Sequence, residues 1–468
     1  MGILLRYIRH LSKGMPKAAA AVSSPSDYAT HVNPRWAALL NLLQMNVQYE
    51  RCFGAELFTS DGRRILDYLS GYCVHNVGHN HPYVIEQLKA ELDRCGPAML
   101  QSHVPELAGE LARRLCELAG GNLRKVFFGS SGSEGVEAAI KFARAATRRG
   151  GLLCAKNSFH GLTTGALSLM TDPFWREGFE PLLQDTHAVP FGDVAALERE
   201  LSTKRFAAFV VEPIQSEAGI NLPPDGYLQA AEELCRRTGT LFVLDEVQTG
   251  MFRTGAFLAA DHYGVKPDMV ILAKALSGGL VPVSATLMTD AVYDKVYSSL
   301  RRAIVHTSTF SENGLAMRAG IATLDVLEKH ALGHRATVLG EILRIRLREA
   351  LSSFEMVKEV RGLGMLSGIE FQSPSTLALK VPFESFRAIH PAMFGQIAVM
   401  RMFREQGILT QICGNNFMVL KVAPPLVVTE EEVDEFVDGI RAVVNQMHSS
   451  PSFWTEALGL ARRAVGAI

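Results

Sequence analysis

An α/β fold is predicted by three stretches in which a short apolar run ends in residues able to do chemistry. Leu241 to Leu244, preceded by the helix-stop glycine Gly239, runs into the acids Asp245 and Glu246, and Met269 to Leu272 leads to Ala273 and Lys274. Val126 to Phe128 runs into a Gly/Ser loop and then a helical pattern. In an open α/β sheet the ligand crevice lies outside the carboxyl ends of the strands, so Asp245 and Lys274 fall where chemistry is expected. A lysine and a carboxylate meeting in a crevice suit pyridoxal phosphate: a lysine can bind its aldehyde, and an aspartate can hold a proton on its pyridine nitrogen. Taken alone, the same two residues read equally well as a strand-end carboxylate and a surface lysine.

A chain of 468 residues is long enough for a large core and two or three domains. Its 48% hydrophobic and 20% charged residues are those of a soluble globular protein. Lys+Arg 47 against Asp+Glu 48 leaves a net charge of -1, which removes any global electrostatic case for nucleic acid. The 7 cysteines, from Cys52 to Cys413, have no paired CxxC spacing and are expected to be free thiols in a reducing cytoplasm, without disulfides or zinc. No apolar run approaches the ~20 residues that cross a bilayer.

In chain order, residues 1–26 stand apart. Ile3, Leu4, Leu5, Ile8 and Leu11 alternate with Arg6, Arg9, Lys13 and Lys17, an amphipathic basic helix that would lie on a membrane surface, meet a partner or stay solvated. Its apolar run is too broken for a secretory signal, and an Ala/Ser-rich linker follows to Ser26. From Gly54 the pattern is a hairpin turned at Asp61-Gly62. His75, His79 and His81 come next and invite a metal reading, which is not adopted. Helices are expected over 83–95 and 105–118, and strands over 152–155 and 208–212. In the helix after the Gly/Ser loop, Glu137 and Lys141 are spaced to pair, as are Glu232 with Arg236 and Glu233 with Arg237 further on. Free N–H groups and the dipole at the start of the first of these helices suit a phosphate; the missing Walker lysine and GxGxxG spacing count against a nucleotide.

Long helices begin near Thr323, and 360–371 forms a strand pair around Gly362, Gly364 and Gly368. The apolar, aromatic run from Val381 to Met402 is read either as dimer core or as the wall of a roomy pocket. Ser450-Pro451 starts a last helix with Trp454, Leu458, Ala461, Val465 and Ile468 on one face, which docks on its own protein or, with the basic start of the chain, on a membrane.

LDEVQTGMFRTG (244–255) and DMVILAKALSGGLVPVSA (268–285) resemble the class III aminotransferases, the ornithine, acetylornithine and omega-amine branch of the fold-type I pyridoxal phosphate enzymes. The resemblance runs, with gaps, from about Gly54 to about Val443. It implies a large domain, 81–322, built on a mixed, mostly parallel sheet, and a smaller α/β domain from both chain ends, 27–80 and 323–446, with 447–468 appended. It implies that Lys274 carries the cofactor, that Asp245 and Gln248 contact the pyridine nitrogen and ring hydroxyl, and that Phe159, beside His160, stacks on the ring. Gly132 and Ser133 would hold the phosphate, and Thr309 would reach the phosphate of a neighbouring subunit, giving a homodimer with shared sites. The loop carrying Tyr72 would line the substrate pocket, with Glu212 and Glu217 beside it, the latter gating a substrate-binding arginine.

At that arginine's position, MVLKVAPPL, this chain has Lys421. Arginine grips a carboxylate with a planar fork, whereas lysine is a point charge. Lys421 therefore binds a carboxylate less specifically, pairs with Glu217, or lies beside an acceptor that has no carboxylate. Other departures are Ser130 in place of Asn and Gly135-Val136 in place of Ala-Asn. Taken with the 381–402 run and the terminal helices, Lys421 makes the chain similar to aminotransferases of lipid biosynthesis of the hopanoid type. The expected reaction moves an amino group between an amine or amino-acid donor and a carbonyl acceptor, at a terminal carbon of a hydrophobic or lipid-like aldehyde. Lys274 and Asp245 are its catalytic residues, and Tyr72, Glu217 and Lys421 meet substrate. A same-fold mutase or decarboxylase and a catalytically silent scaffold subunit are the alternatives, and intact Lys274 and Asp245 argue against the last.

Overall fold

The computed structural model describes residues 26–100, 102–389 and 394–466, with side chains up to residue 460. Strands β1 (Tyr49–Phe53), β2 (Glu56–Thr59) and β3 (Arg64–Asp67) form an antiparallel meander, with Gly62 at φ 85° in the predicted turn. Seven strands follow: β4 (Leu123–Gly129), β5 (Gly151–Ala155), β6 (Thr186–Val189), β7 (Phe206–Val211), β8 (Leu241–Asp245), β9 (Met269–Leu272) and β10 (Ser284–Thr289). They make one sheet in the order β4-β10-β9-β8-β7-β5-β6. β10 is antiparallel to both its neighbours and the other pairings are parallel, so β4, β5, β7, β8 and β9 all end at one edge.

The sheet is covered on both faces, which is why its strands are nearly continuous apolar runs rather than alternating ones. Val210, Val243 and Ile271 face the helix Gly132–Thr147 through Val136 and Ile140. Their neighbours Phe209, Leu244 and Val270 face the opposite way, toward Leu228 and Ala231 of the helix Tyr227–Thr238. Side chains alternating across each strand divide the core into these two layers.

A third sheet, in the order β11-β12-β15-β14, is antiparallel throughout: β11 (Val357–Leu363), β12 (Leu366–Phe371), β14 (Gln411–Cys413) and β15 (Asn416–Val422). The short β13 (Ile408–Leu409) pairs in parallel with β3, Ile408 opposite Leu66, and so brings the two ends of the chain into one sheet.

Several side chains find partners other than those their spacing predicts. Glu137 accepts hydrogen bonds from the Gly165 and Ala166 N–H groups at 2.7 and 3.2 Å, and Lys141 meets His306 at 2.7 Å. Arg236 pairs with Glu233, and Arg237 reaches Glu198 on another helix at 3.7 Å. For Glu137, Lys141 and Arg237 a neighbour from another part of the chain takes the contact, whereas Arg236 finds its acid three residues back on its own helix. All seven cysteines are free, and Cys73, Cys154, Cys235 and Cys413 are buried.

Over its described residues the 381–402 run packs largely within the chain, with Val381 57% exposed. Phe383 and Phe386 of the helix Leu377–Ile389 and Phe394 of the helix Phe394–Gln406 are buried, and Trp454 of the helix Pro451–Gly466 packs on Phe383 and Phe394 with ring centroids 6.4 and 6.3 Å apart. Phe453, Ala457 and Leu460 are buried as well, and the Trp454 indole N–H donates to Met447 O at 3.0 Å. This last helix thus turns its 453/454/457/460 face inward and keeps no apolar face for a membrane over its described side chains. Residues 1–25, and the side chains of Ala461, Val465 and Ile468, lie outside the described residues. Among the described residues no helix is long and apolar enough to cross a membrane.

Trp454→Ala is expected to cost about 3–5 kcal/mol of stability, the usual loss for a buried tryptophan. Leu377→Ala, on a side chain 73% exposed, should stay within about 0.5 kcal/mol. Denaturant unfolding of the two variants beside the parent chain measures the difference.

Candidate active site

The carboxyl edge of the seven-stranded sheet opens into a cavity of about 480 Å³. The loops after β4, β5, β7, β8 and β9 contribute to it. Gly132 and Ser133 come from the loop after β4, Phe159 and His160 from that after β5, Asp245 and Gln248 from the end of β8, and Lys274 from that of β9. Tyr72, Glu217 and Lys421 form a cluster against Gln248. Thr309 is not with them; it is exposed in a separate cleft of about 930 Å³.

Lys274 opens a tight 3-10 turn, Lys274–Ser277, in a left-handed conformation at φ 46°. Burial holds its amine below the usual lysine range, with Asp245 pulling the other way. Asp245 is 5% exposed; its Oδ1 accepts the Val247 N–H at 3.1 Å and its Oδ2 meets His160 Nδ1 at 2.8 Å. Burial pushes His160 down, but the Asp245 carboxylate outweighs it and raises the imidazole above its ordinary value. The other ring nitrogen, Nε2, is buried without a hydrogen-bond partner. Glu212 grips the same region, accepting the Phe159 N–H at 3.0 Å and the Ser216 N–H at 3.2 Å, and burial lifts its carboxyl to about 7.

At the start of the helix Gly132–Thr147, Ser131 accepts the Glu134 N–H at 3.3 Å, and Glu134 accepts the Ser130 N–H at 2.6 Å. The backbone there is bare because side chains would not fit. A Cβ on Gly132 would meet Val247 at 3.1 Å, and one on Gly161, at φ 124°, would strike Ser133 Oγ at 2.2 Å. This cradle, at the positive end of a 16-residue helix, suits an anion. An amine, a buried carboxylate and an anion cradle on one cavity fit pyridoxal phosphate.

Lys421, with no exposed surface, donates to Glu217 Oε1 and, at 3.3 Å, to Gln248 Oε1. Glu217 also accepts from Gln248 Nε2 at 3.0 Å and from the Gly414 N–H at 2.8 Å. Burial raises the Glu217 carboxyl, but Lys421 and these donors bring it down to about 2. Burial lowers Lys421, and Glu217 restores it to above the ordinary lysine value. Of the roles open to Lys421, pairing with Glu217 is the one it adopts. The Tyr72 ring lies 5.2 Å from the Lys421 ammonium, carried by four successive left-handed residues, Ser70 to Cys73, at φ 46, 61, 65 and 67°.

Sequence reasoning missed parts of this arrangement. Val74 and the run Leu280–Val283 line the cavity, and the only hint of the latter was Gly278-Gly279, which turn the chain back at φ 63 and 83°. An acid does lie beside the histidines: Asp67 meets His79 Nε2 at 2.7 Å, and His75 stacks on His79 at 3.8 Å. Among the described residues no His/Cys/Asp/Glu group is arranged to hold a metal.

Comparison with known proteins agrees with this geometry. The family model described as aminotransferase class-III matches residues 41–444. Aminotransferase PigE of Serratia sp. (strain ATCC 39006) is 35% identical over 452 residues, covering 90% of this chain and 53% of PigE, so the chain spans about half the length of that relative. Putrescine aminotransferase of Pectobacterium atrosepticum is 36% identical over 403 residues, covering 84% of this chain and 81% of the relative. The solved ornithine aminotransferase of Toxoplasma gondii, with partial occupancy of PLP at its active site, superposes with a TM-score of 0.77 at 32% identity, covering 86% of this chain and 90% of that one.

The Glu217 carboxyl, lowered from 4.5 to about 2, contributes stability that is fully present above about pH 4.5 and is lost as the pH falls toward 2. Its share is on the order of 3 kcal/mol. Glu217→Gln should remove this part of the acid dependence and be less stable than the parent chain at pH 7, because Lys421 is left buried without a counter-charge. Unfolding curves for both proteins between pH 7 and 2 measure it.

Proposed function

The chain belongs to the class-III aminotransferases, and from that premise we propose that it moves an amino group between a primary-amine donor and a carbonyl acceptor at a carbon bearing no carboxylate. Its cofactor is pyridoxal 5′-phosphate. The observation that carries the substrate reading is the closed Lys421–Glu217 pair, which leaves that cation already engaged where an α-carboxylate would need one. One relative is named for putrescine, an amine without a carboxylate, which is in keeping with this.

Bound pyridoxal phosphate supplies an aldehyde that links to primary amines and a ring that accepts electrons when the neighbouring C–H bond breaks. The chain's residues do the rest. Lys274 would hold the cofactor through Nζ, and the same amine is placed to take and return a proton as general base and acid. Burial favours its neutral, basic form at this step. Asp245, fixed by His160 and the Val247 N–H, would face the ring nitrogen, and Gln248 would serve the ring hydroxyl. Phe159 covers a ring face, and the N–H groups at Gly132 and Ser133 bind phosphate.

Thr309 completes the phosphate site of a second copy, giving a homodimer with shared sites. Its position outside its own Lys274 cavity supports this, as do its neighbours Leu300, Ile304 and Phe310, 96, 80 and 61% exposed. The acceptor is a hydrophobic aldehyde, supported by the apolar wall of Val74 and Leu280–Val283. The 381–402 run and the last helix pack on each other, so a lipid-like acceptor is supported by that wall and Lys421 alone. The free thiols suit a reducing cytoplasm.

Two results check this reading. Lys274→Ala should lose both the yellow colour of the protein and its turnover; retained transamination would refute the lysine's role. In a donor panel, diamines and simple primary amines should exceed α-amino acids in kcat/KM, and Lys421→Arg should raise the relative rate with carboxylated donors by about tenfold, the worth of one charge-assisted hydrogen bond. A parent enzyme that prefers α-amino acids reacting next to their carboxylate would sink the substrate assignment.

A further inference from the structure

We propose that Asn415 is a positioning residue that locks the aromatic face of the cofactor site to the Glu217–Lys421 cluster, so that the two respond as one unit. The inference rests on the roles proposed above for Phe159 and Glu217. Asn415 sits in the turn between β14 and β15 of the small antiparallel sheet, whereas Phe159 follows β5 of the large one. Its side chain spans the gap in two directions. Trp175 Nε1–H donates to Asn415 Oδ1 at 3.1 Å, and Asn415 Nδ2 donates to the carbonyl of Asn157 at 2.7 Å. Its backbone N–H donates to the Glu217 carbonyl at 2.7 Å, and the preceding Gly414 N–H donates to the Glu217 carboxylate at 2.8 Å.

Trp175 is buried and meets the Phe159 ring edge-on, with centroids 5.4 Å apart and planes at 78°. Asn415 therefore holds the Asn157–Phe159 stretch twice, at its backbone and through the tryptophan behind the ring. The chemistry calls for an amide. The indole only donates and so needs an acceptor, the Asn157 carbonyl only accepts and so needs a donor, and one asparagine supplies both. An aspartate at 415 would set a carboxylate against the Asn157 carbonyl, and an alanine would meet neither demand. A displacement of Glu217 on substrate binding would thus be felt at the ring plane of Phe159, through a residue that touches neither substrate nor cofactor.

The test uses the full chain loaded with pyridoxal phosphate and four variants: Asn415→Ala, Asn415→Asp, Trp175→Phe, and Asn415→Ala combined with Trp175→Phe. The readouts are the visible circular dichroism of the bound cofactor, its dissociation constant and the KM for an amine donor. Each single variant should alter the dichroism; Asn415→Asp and Trp175→Phe should weaken cofactor binding about fivefold to tenfold, the effect of one neutral hydrogen bond, Asn415→Ala, which loses two, should weaken it further, and the Asn415 variants should also raise donor KM. The double variant should be no worse than Asn415→Ala, because both remove the same bond. Effects that multiply, or singles matching the parent in all three readouts, would overturn the coupling. If Asn415→Ala does not fold, Asn415→Asp, which keeps the acceptor for Trp175 and loses the donor to Asn157, and Trp175→Phe, which keeps an aromatic ring and loses the N–H with the pyrrole half of the indole, decide by the same dichroism and binding measurements. A parent chain that takes up no pyridoxal phosphate would overturn the proposed function and this inference with it.

Discussion

A lysine with no exposed surface must find its whole environment inside the protein. The desolvation of an ion costs several kcal/mol, and one counter-charge offsets it only when its remaining lone pairs are satisfied too. For Lys421 that counter-charge is Glu217, and the Glu217 oxygens are completed by the Gln248 amide and the Gly414 N–H at 3.0 and 2.8 Å. These four residues arrive from the loops after β7 and β8, from the turn between β14 and β15, and from β15 itself. None can be shifted without exposing a charge to apolar surroundings. The ion pair therefore ties the small sheet to the loops at the edge of the large one.

The same demand explains the strained turn that carries Tyr72. Three non-glycine residues of the Ser70–Cys73 run are left-handed, at a cost of roughly 1–2 kcal/mol each. Asp67 offsets part of this by accepting the Leu69 and Ser70 N–H groups at 2.9 and 2.8 Å, and Ser70 Oγ donates to Ala423 O at 2.7 Å. Behind the turn lies Arg253, fully buried, whose recorded partners are all neutral oxygens: Met365 O at 3.0 Å, Pro424 O and Asn76 Oδ1 at 2.5 Å, and Ser70 Oγ at 3.3 Å. Five donors in a rigid fork can join several chain segments at once, which an ammonium could not do with the same geometry.

What the sequence makes legible follows from the range of the interactions. The ends of β8 and β9 were readable to within a residue because a strand covered on both faces is an unbroken apolar run that stops where it leaves the core. The cofactor-side residues followed from those ends and from the family resemblance. The partner of Lys141, 165 positions away, was not readable, nor was the meeting of Asp67 with His79, because helical spacing describes neighbours on one element and is silent about what folds against it. Lys421 with Glu217, 204 positions apart, was foreseen only as one of three options, since both lay near the same pocket in the resemblance and had opposite charge. Asn415 and Trp175 carried no signal: an asparagine in a turn and a tryptophan in a short helix are ordinary residues until the fold sets one against the other.

One physical condition, exclusion of water, accounts for the different behaviour of chemically identical groups around the cavity. Glu217, with a cation beside it, is held down to about 2, whereas Glu212 and Glu246, which are held by N–H and hydroxyl donors, are raised to about 7. The difference lies in the neighbour, since all three carboxyls are buried. Desolvation disfavours any charge, and at Glu217 the opposite charge at contact distance, together with the Gln248 and Gly414 donors, reverses it. The Lys274 amine is lowered by the same burial, with Asp245 opposing it. Asp245 has His160 as its partner at 2.8 Å, and that contact raises the imidazole. The dry cavity thus sorts its ionisable groups by whether each was given a counter-charge, and acid and base duties are separated along that line.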